Sequence, residues 1–192
     1  QAPAVLGDHV FLIINTGKSR GLVDSEYNDR RKACERGVEI IAAREPGVKA
    51  LRDVTPEMFD AYEQELPEEI RCKCRHVITE NPRVLEAVEK LRAGELEAFG
   101  KLMQQSHESL RDDFMVSCRE LDTVNEIARA HGGVLGERMT GAGFGGCGVA
   151  LIEKDAVDSF REELHRKYRK ETGLEAVFYE TGAAGGASCS GS

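Results

Sequence analysis

Eight of the 20 glycines in this sequence, at positions 132, 133, 136, 141, 143, 145, 146 and 148, fall in one 17-residue stretch. That stretch includes Val134 to Thr140 and leads into Cys147 to Ile152, both of which read as strands. Two strands joined by a glycine-rich turn are therefore expected, since glycine supplies the positive-φ conformations such turns need. Glycine also weakens a strand end without filling a core. Its density here points to backbone that must approach a ligand closely, with a purely structural hairpin as the alternative.

The remaining elements can be read around that turn. His9-Val-Phe-Leu-Ile-Ile-Asn15 is a short apolar run, too short for a typical helix and ended by Asn-Thr-Gly, and is read as a buried strand. Asp24 or Ser25 can cap a following helix, on which Ala33, Cys34, Gly37, Val38 and Ile41 recur at helical spacing. Thr55-Pro56 and Asn81-Pro82 each pair a capping residue with a proline at the first helical position, so each predicts a helix start. Gly94 ends the second of these, near Lys90 and Arg92, and another helix is expected from about Glu95 to Leu110. Ser117-Cys-Arg-Glu120 has the spacing of a capping box ahead of Leu121, Val124, Ile127 and Ala128, and that helix should stop at His131-Gly132-Gly133. Ala156, Val157, Phe160, Leu164 and Tyr168 mark a last amphipathic helix ending at Thr172-Gly173, with Leu174 to Tyr179 as a final strand. The order is strand, helices, strand, strand, helix, strand. This is the ferredoxin-like split β-α-β pattern of an α+β fold, with extra helices inserted in its first half. One domain over residues 9–180 and a flexible Gly/Ala/Ser tail over 181–192 are expected.

Composition removes whole classes of function. A chain of 192 residues can form one sizeable core without disulfide or metal staples. With 26 Lys and Arg against 34 Asp and Glu, a net charge of −8 argues against general nucleic-acid binding. No run approaches the roughly 20 apolar residues of a membrane span, and Gln1 to Asp8 lacks the pattern of a secretory leader. Six irregularly spaced cysteines (34, 72, 74, 118, 147 and 189) fit a reducing cytoplasm better than a disulfide framework.

Several shorter motifs are weaker than they look. Gly141-Ala-Gly-Phe-Gly-Gly146 satisfies G-x-G-x-x-G, but a strand follows it where a dinucleotide site needs a helix, and Arg166 stands where an acidic residue would be expected. Gly17-Lys18-Ser19 resembles the end of a P-loop, but Leu12 occupies the position of its first glycine, so a polar turn is the simpler reading. Cys72, Cys74 and His76 lack a second ligand pair and read as ordinary helix residues, so no metal site is assigned. Ser106, His107, Asp112 and Asp113 supply the ingredients of a hydrolase triad without a nucleophile elbow, and no catalytic residue is assigned in this chain. The Asp112-Asp113 pair can cap a helix, hold Arg111 or serve a site, and the sequence leaves these open. Tyr27, in the first turn after the first strand, offers a flat face and a hydroxyl suited to sugars, or else packs as a helix residue.

Three longer segments carry a resemblance. Ser25-Glu-Tyr-Asn-Asp-Arg-Arg-Lys-Ala-Cys-Glu35, Ser106-His-Glu-Ser-Leu-Arg-Asp-Asp-Phe114 and Arg138-Met-Thr-Gly-Ala-Gly-Phe-Gly-Gly-Cys147 resemble, in order and spacing, the C-terminal half of galactokinases, members of the GHMP kinase superfamily. The resemblance implies transfer of the γ-phosphoryl group of ATP to the C1 hydroxyl of galactose, with Mg²⁺, in the cytoplasm. It implies a sugar contact for Tyr27 and a place beside the active site for Gly141, Gly143, Phe144, Gly145, Gly146 and Cys147. The family's sugar-recognition motif, phosphate loop and catalytic aspartate lie upstream of the matching region. This chain is accordingly expected to be inactive alone, with its own N-terminal domain as partner and ATP and Mg²⁺ held mainly there. The turn Asn15-Thr-Gly-Lys-Ser-Arg20 departs from the Ser-Asn-Val-Lys-Arg type usual in the family. A related kinase acting on N-acetylgalactosamine or arabinose, or a non-catalytic galactose-responsive regulator, are the alternatives.

Overall fold

A computed structural model describes residues 4–19 and 23–183, without the side chains of residues 23–25. The capping roles expected of Asp24 and Ser25, Arg20, Cys189 and the 184–192 portion of the tail lie outside the described residues. Four strands, β1 (His9–Asn15), β2 (Val134–Thr140), β3 (Cys147–Glu153) and β4 (Val177–Thr181), form one antiparallel sheet in the order β2-β3-β1-β4. That is the ferredoxin-like arrangement the element order predicts. Among the described residues six α-helices accompany it: α1 (Val23–Ala42), α2 (Pro56–Tyr62), α3 (Glu68–Ala93), α4 (Leu96–Asp112), α5 (Arg119–Ala130) and α6 (Val157–Thr172).

Both faces of the sheet are covered, and the pleat decides which residue goes where. Val10, Leu12 and Ile14 alternate into a core with Ala150 and Ile152 of β3, Val124, Ile127 and Ala128 of α5, and Phe160, Leu164 and Tyr168 of α6. The other face takes Phe11, Val149 and Leu151 against Leu96, Phe99 and Met103 of α4, with Ala4 and Leu6 closing that side. Along β1 the burial therefore alternates, half-buried and buried, where the apolar run alone reads as uniformly buried. α4 comes close to β2 because Gly100 and Gly136 face each other. A Cβ on either glycine would overlap the backbone of the other element. The inserted helices make a second core of Ile41, Val48, Leu51, Phe59, Leu66, Cys74 and Ile78.

Two expected helix starts are corrected. Asn81-Pro82 opens no helix: α3 runs unbroken from Glu68 to Ala93 with Pro82 inside it. Asn81 and Pro82 are exposed, whereas the buried stripe through Cys74 and Ile78 packs on α1 and on the first inserted turn. Packing of the buried stripe ahead of the proline thus outweighs its cost of about 3 kcal/mol or more. The Ser117 box does not form either, because the Ser117 hydroxyl donates to Asp122 Oδ1 at 2.6 Å and the helix begins one residue later, with Cys118 as its N-cap. The Thr55-Pro56 start holds, with Met58 N–H donating to Thr55 Oγ1 at 3.2 Å, as do the ends at Gly94 and Gly173, both left-handed with φ of 72° and 75°. The last strand lies three residues later than expected, beginning at Val177.

Candidate functional site

The turn between β2 and β3 is built almost wholly from left-handed backbone. Gly141, Gly143, Gly145 and Gly146 have φ of 85°, 84°, 128° and 85°, and Phe144 joins them at 58°. Glycine is required at two of these positions for more than dihedral freedom. A Cβ at 143 would run into the Val116 carbonyl, and one at 145 would sit 2.8 Å from Lys18 O. The turn is held inward at two points. Phe144 N–H donates to Val116 O at 2.8 Å. Gly146 N–H donates to Lys18 O at 3.2 Å, while Gly146 O accepts from Thr16 N–H at 2.9 Å and from Thr16 Oγ1 at 2.7 Å. The polar segment after β1, which at sequence level has only the look of a truncated P-loop, is thus the platform on which the turn rests. Tyr168 donates to Thr16 O from below at 2.7 Å, and Lys18 pairs with Glu120 at 3.0 Å.

One side chain joins this turn to α1. The Arg30 guanidinium lies over the Phe144 ring, 4.9 Å from its centroid. Its Nε donates to Phe114 O at 2.8 Å, Nη2 to Met115 O at 2.5 Å and Nη1 to the carbonyl and carboxylate of Glu26 at 2.9 and 2.6 Å. A planar fork with five donors can serve the α4–α5 connection, the first turns of α1 and an aromatic face at once, which a lysine could not. Tyr27 lies three residues before Arg30, one helical turn along the same side of α1, and is 61% exposed. Met115 is also exposed and, at φ 57°, shares with Phe144 a conformation rare outside glycine. Such strained positions persist only where their surroundings over-determine them, and these two meet the same arginine. An open cleft of 650 Å³ lies alongside, lined by Glu26, Asp29, Arg30, Cys72, Lys73 and Met115 among others.

The other residues of the α3–α4 region have structural partners. His76 Nδ1 meets Ser109 Oγ at 3.0 Å and its ring packs on Phe114, while burial lowers its pKa. Lys73, also lowered by burial, donates to Asp113 O at 2.9 Å. Of the readings left open for the acidic pair, Asp112 holds Arg111 through bonds of 2.7 and 2.8 Å, and Asp113 accepts from Ser109 Oγ at 3.0 Å and faces Arg75. Ser106 donates to Glu80 of α3 at 2.5 Å. Beneath β2, Glu137 is buried beside His107 and accepts from Asn125 at 2.7 Å. Burial pushes its carboxyl up to about 7.

Tyr27 and Arg30 stand one helical turn apart on α1, and Arg30 reaches Phe144 of the 141–146 turn; Arg30, Met115 and Val116 are the residues here that sequence reasoning missed. Arg30 was within reach of the sequence, since it stands three and four residues from Tyr27 and Glu26 on a predicted helix; the other two act through backbone and left no signal.

This arrangement of a ferredoxin-like sheet, a glycine-rich turn and an arginine-stapled helix has known counterparts. Residues 86–170 match the family model described as GHMP kinases C terminal. The galactokinase of Fusobacterium nucleatum is 44% identical over 186 residues, which are 96% of this chain and 48% of the relative. That of Streptococcus mutans is 45% identical over 185 residues, 96% of this chain and 47% of the relative. The crystal structure of Lactococcus lactis galactokinase complexed with galactose superposes with a TM-score of 0.89 at 39% identity, covering 93% of this chain and 46% of that one. A mevalonate kinase from L. major, at 22% identity and a TM-score of 0.58 over 96% of this chain and 46% of its own, shares the fold. Residues 86–170 are thus similar to the C-terminal domain of GHMP kinases. The chain is homologous to galactokinases over most of its length, and it spans about half the length of the curated relatives it matches.

Proposed function

We propose that this chain is the C-terminal half of a galactokinase, a sugar kinase that transfers the γ-phosphoryl group of ATP to the C1 hydroxyl of galactose, with residues 9–180 as its domain. In that reaction the bond between the sugar oxygen and the γ-phosphorus forms as the bond to ADP breaks, and the hydroxyl proton passes to a base. In this reading the base belongs to the N-terminal half, which is the partner of this domain and holds most of the ATP and Mg²⁺. The observation that carries the reading is the Arg30 clamp. It sets Phe144 and the glycine-rich turn beside the helical turn that presents Tyr27, so one wall offers a sugar-binding ring and a phosphate-facing backbone.

The residues present fit a share of that work. The N–H groups of Gly143 and Gly145 have no acceptor among the described residues, and successive left-handed amides form a concavity suited to anionic oxygens. Tyr27, exposed on the same side, supplies a flat face and a hydroxyl for galactose. Among the described residues no group of three carboxylate, imidazole or thiol side chains could hold a metal. Phosphoryl transfer is mostly positioning and charge stabilisation, and a wall fixed in advance by hydrogen bonds suits it. The free thiols Cys34, Cys72, Cys74, Cys118 and Cys147 support a cytoplasmic location, and no described helix is long and apolar enough to cross a membrane.

The test is an ADP-release assay on the full-length protein with galactose, N-acetylgalactosamine and arabinose. Turnover with galactose at the highest kcat/KM supports the reading. A preference for another of these sugars redirects the specificity, and binding of galactose without turnover leaves a regulator.

A further inference from the structure

We propose that His107 and Asp122 are positioning residues for the glycine-rich turn, holding its root and its tip at a fixed separation without touching substrate. The inference rests on the reading above only in assigning that turn to the active site; the hydrogen bonds that carry it stand by themselves.

β2 is an edge strand, so its outward backbone groups have no partner strand. Two side chains serve them instead. Asn125 Nδ2 donates to Glu137 O at 3.0 Å, and Met139 N–H donates to His107 Nδ1 at 3.1 Å. Met139 stands two residues before Gly141, so the imidazole grips the strand at the root of the turn. Because Nδ1 accepts, the ring proton is assigned to Nε2, which faces Asp122 Oδ1 at 3.3 Å. The same oxygen accepts from Ser117 Oγ at 2.6 Å. Ser117 follows Val116, whose carbonyl accepts from Phe144 N–H at the tip of the turn at 2.8 Å.

These contacts close a ring. It runs from Met139 through the turn to Phe144, across to Val116 and Ser117, through Asp122 to His107, and back to Met139. Within it the turn joins Met139 to Phe144, and both are tied back to the Asp122 carboxylate, the first through His107 and the second through Val116 and Ser117. His107 is completely buried, so its part in the reaction can only be indirect. A ring of this kind fixes where the turn's backbone stands, and a displacement of about 1 Å in a positioning element can cost about 100-fold in rate. It also explains why the Ser117 hydroxyl donates to Asp122 instead of capping α5.

The experiment uses the full-length protein and four variants. His107→Leu and Asp122→Ala break the ring. His107→Asn keeps an acceptor for Met139 N–H, and Asp122→Asn keeps an acceptor for both Nε2–H and Ser117. The expected result is a fall in kcat of about 10- to 100-fold for the first pair with KM for galactose changed less than about threefold, and substantial recovery in the second pair. Amide exchange within residues 139–146 should quicken at least tenfold in Asp122→Ala and stay near wild type in Asp122→Asn. Lowered thermal stability with unchanged kcat and unchanged exchange at 139–146 would reduce both residues to packing and overturn the proposal. Should His107→Leu fail to fold, the two Asp122 variants decide alone. If the wild-type protein phosphorylates no sugar, the functional reading falls, while the exchange measurement still decides whether the ring holds the turn.

Discussion

The two parts of the candidate site are held in different ways. The glycine-rich turn is fixed by backbone hydrogen bonds at Phe144 and Gly146, and side chains at Gly143 or Gly145 would collide with neighbouring carbonyls. Among the described residues, the turn of α1 that presents Tyr27 is tied to it through the Arg30 side chain, and Tyr27 itself stands 61% exposed. The first region is held through its backbone and the second through a side chain. For phosphoryl transfer the difference is functional: the backbone that must meet a phosphate is preorganised, while the ring that would meet a sugar can settle onto it.

That contrast can be broken from either side. The largest effect is expected for Gly143→Ala, which adds a clash with Val116 O to a φ of 84° and should cost about 3 kcal/mol of stability together with most of the activity. Thermal unfolding and turnover of the full-length protein check it, and an unperturbed Gly143→Ala protein would show the turn to be looser than described.

Next is the buried carboxyl beneath the turn. In the unfolded chain Glu137 releases its proton near pH 4.5, whereas in the fold burial holds it to about 7. The neutral form therefore stabilises fully below about pH 4.5, and its contribution is lost as pH rises through about 7. The Asn125 amide and Arg138 oppose the shift, and Asp122 adds to it. Glu137→Gln should remove a pH dependence of roughly 3 kcal/mol, seen as urea midpoints that differ between pH 4.5 and pH 8 in wild type and converge in the variant.

Smaller effects belong to the adjustable side. Arg30→Ala should raise KM for galactose about tenfold, or about 1.4 kcal/mol, and Arg30→Lys should recover little because a point charge cannot serve the fork. Tyr27→Phe, which removes one hydroxyl, should change KM by a few-fold, about 1 kcal/mol, with kcat nearly unchanged. If Tyr27→Phe instead lowered kcat as far as Gly143→Ala does, the two regions would not differ as claimed.

How much of this the sequence shows depends on where the information resides. The β2 and β3 strands, the buried face of α6 and the stops at Gly94 and Gly173 are legible because periodicity and left-handed caps are local properties. Pro82 misleads because its local preference for a helix start is overruled by the packing of α3 ahead of it, through Cys74 and Ile78. The Ser117 box fails for a similar reason, its hydroxyl being taken by Asp122. At the site, Tyr27 and residues 141–146 come from motif resemblance. His107 appears in the sequence only as a member of an imagined triad, and nothing local shows that it grips the edge of β2 across 32 residues. Val116 holds the turn through its carbonyl oxygen, which no side-chain pattern can reveal.

The central claim is that the first turns of α1 and the 141–146 turn form one wall of a single binding site. Amide exchange on the full-length protein, with and without galactose and a non-hydrolysable ATP analogue, tests it most directly. The account predicts that residues 26–30 and 141–146 both become protected, the first mainly by galactose and the second mainly by the nucleotide. Protection confined to other surfaces, with both segments unchanged at saturating ligand, would contradict it.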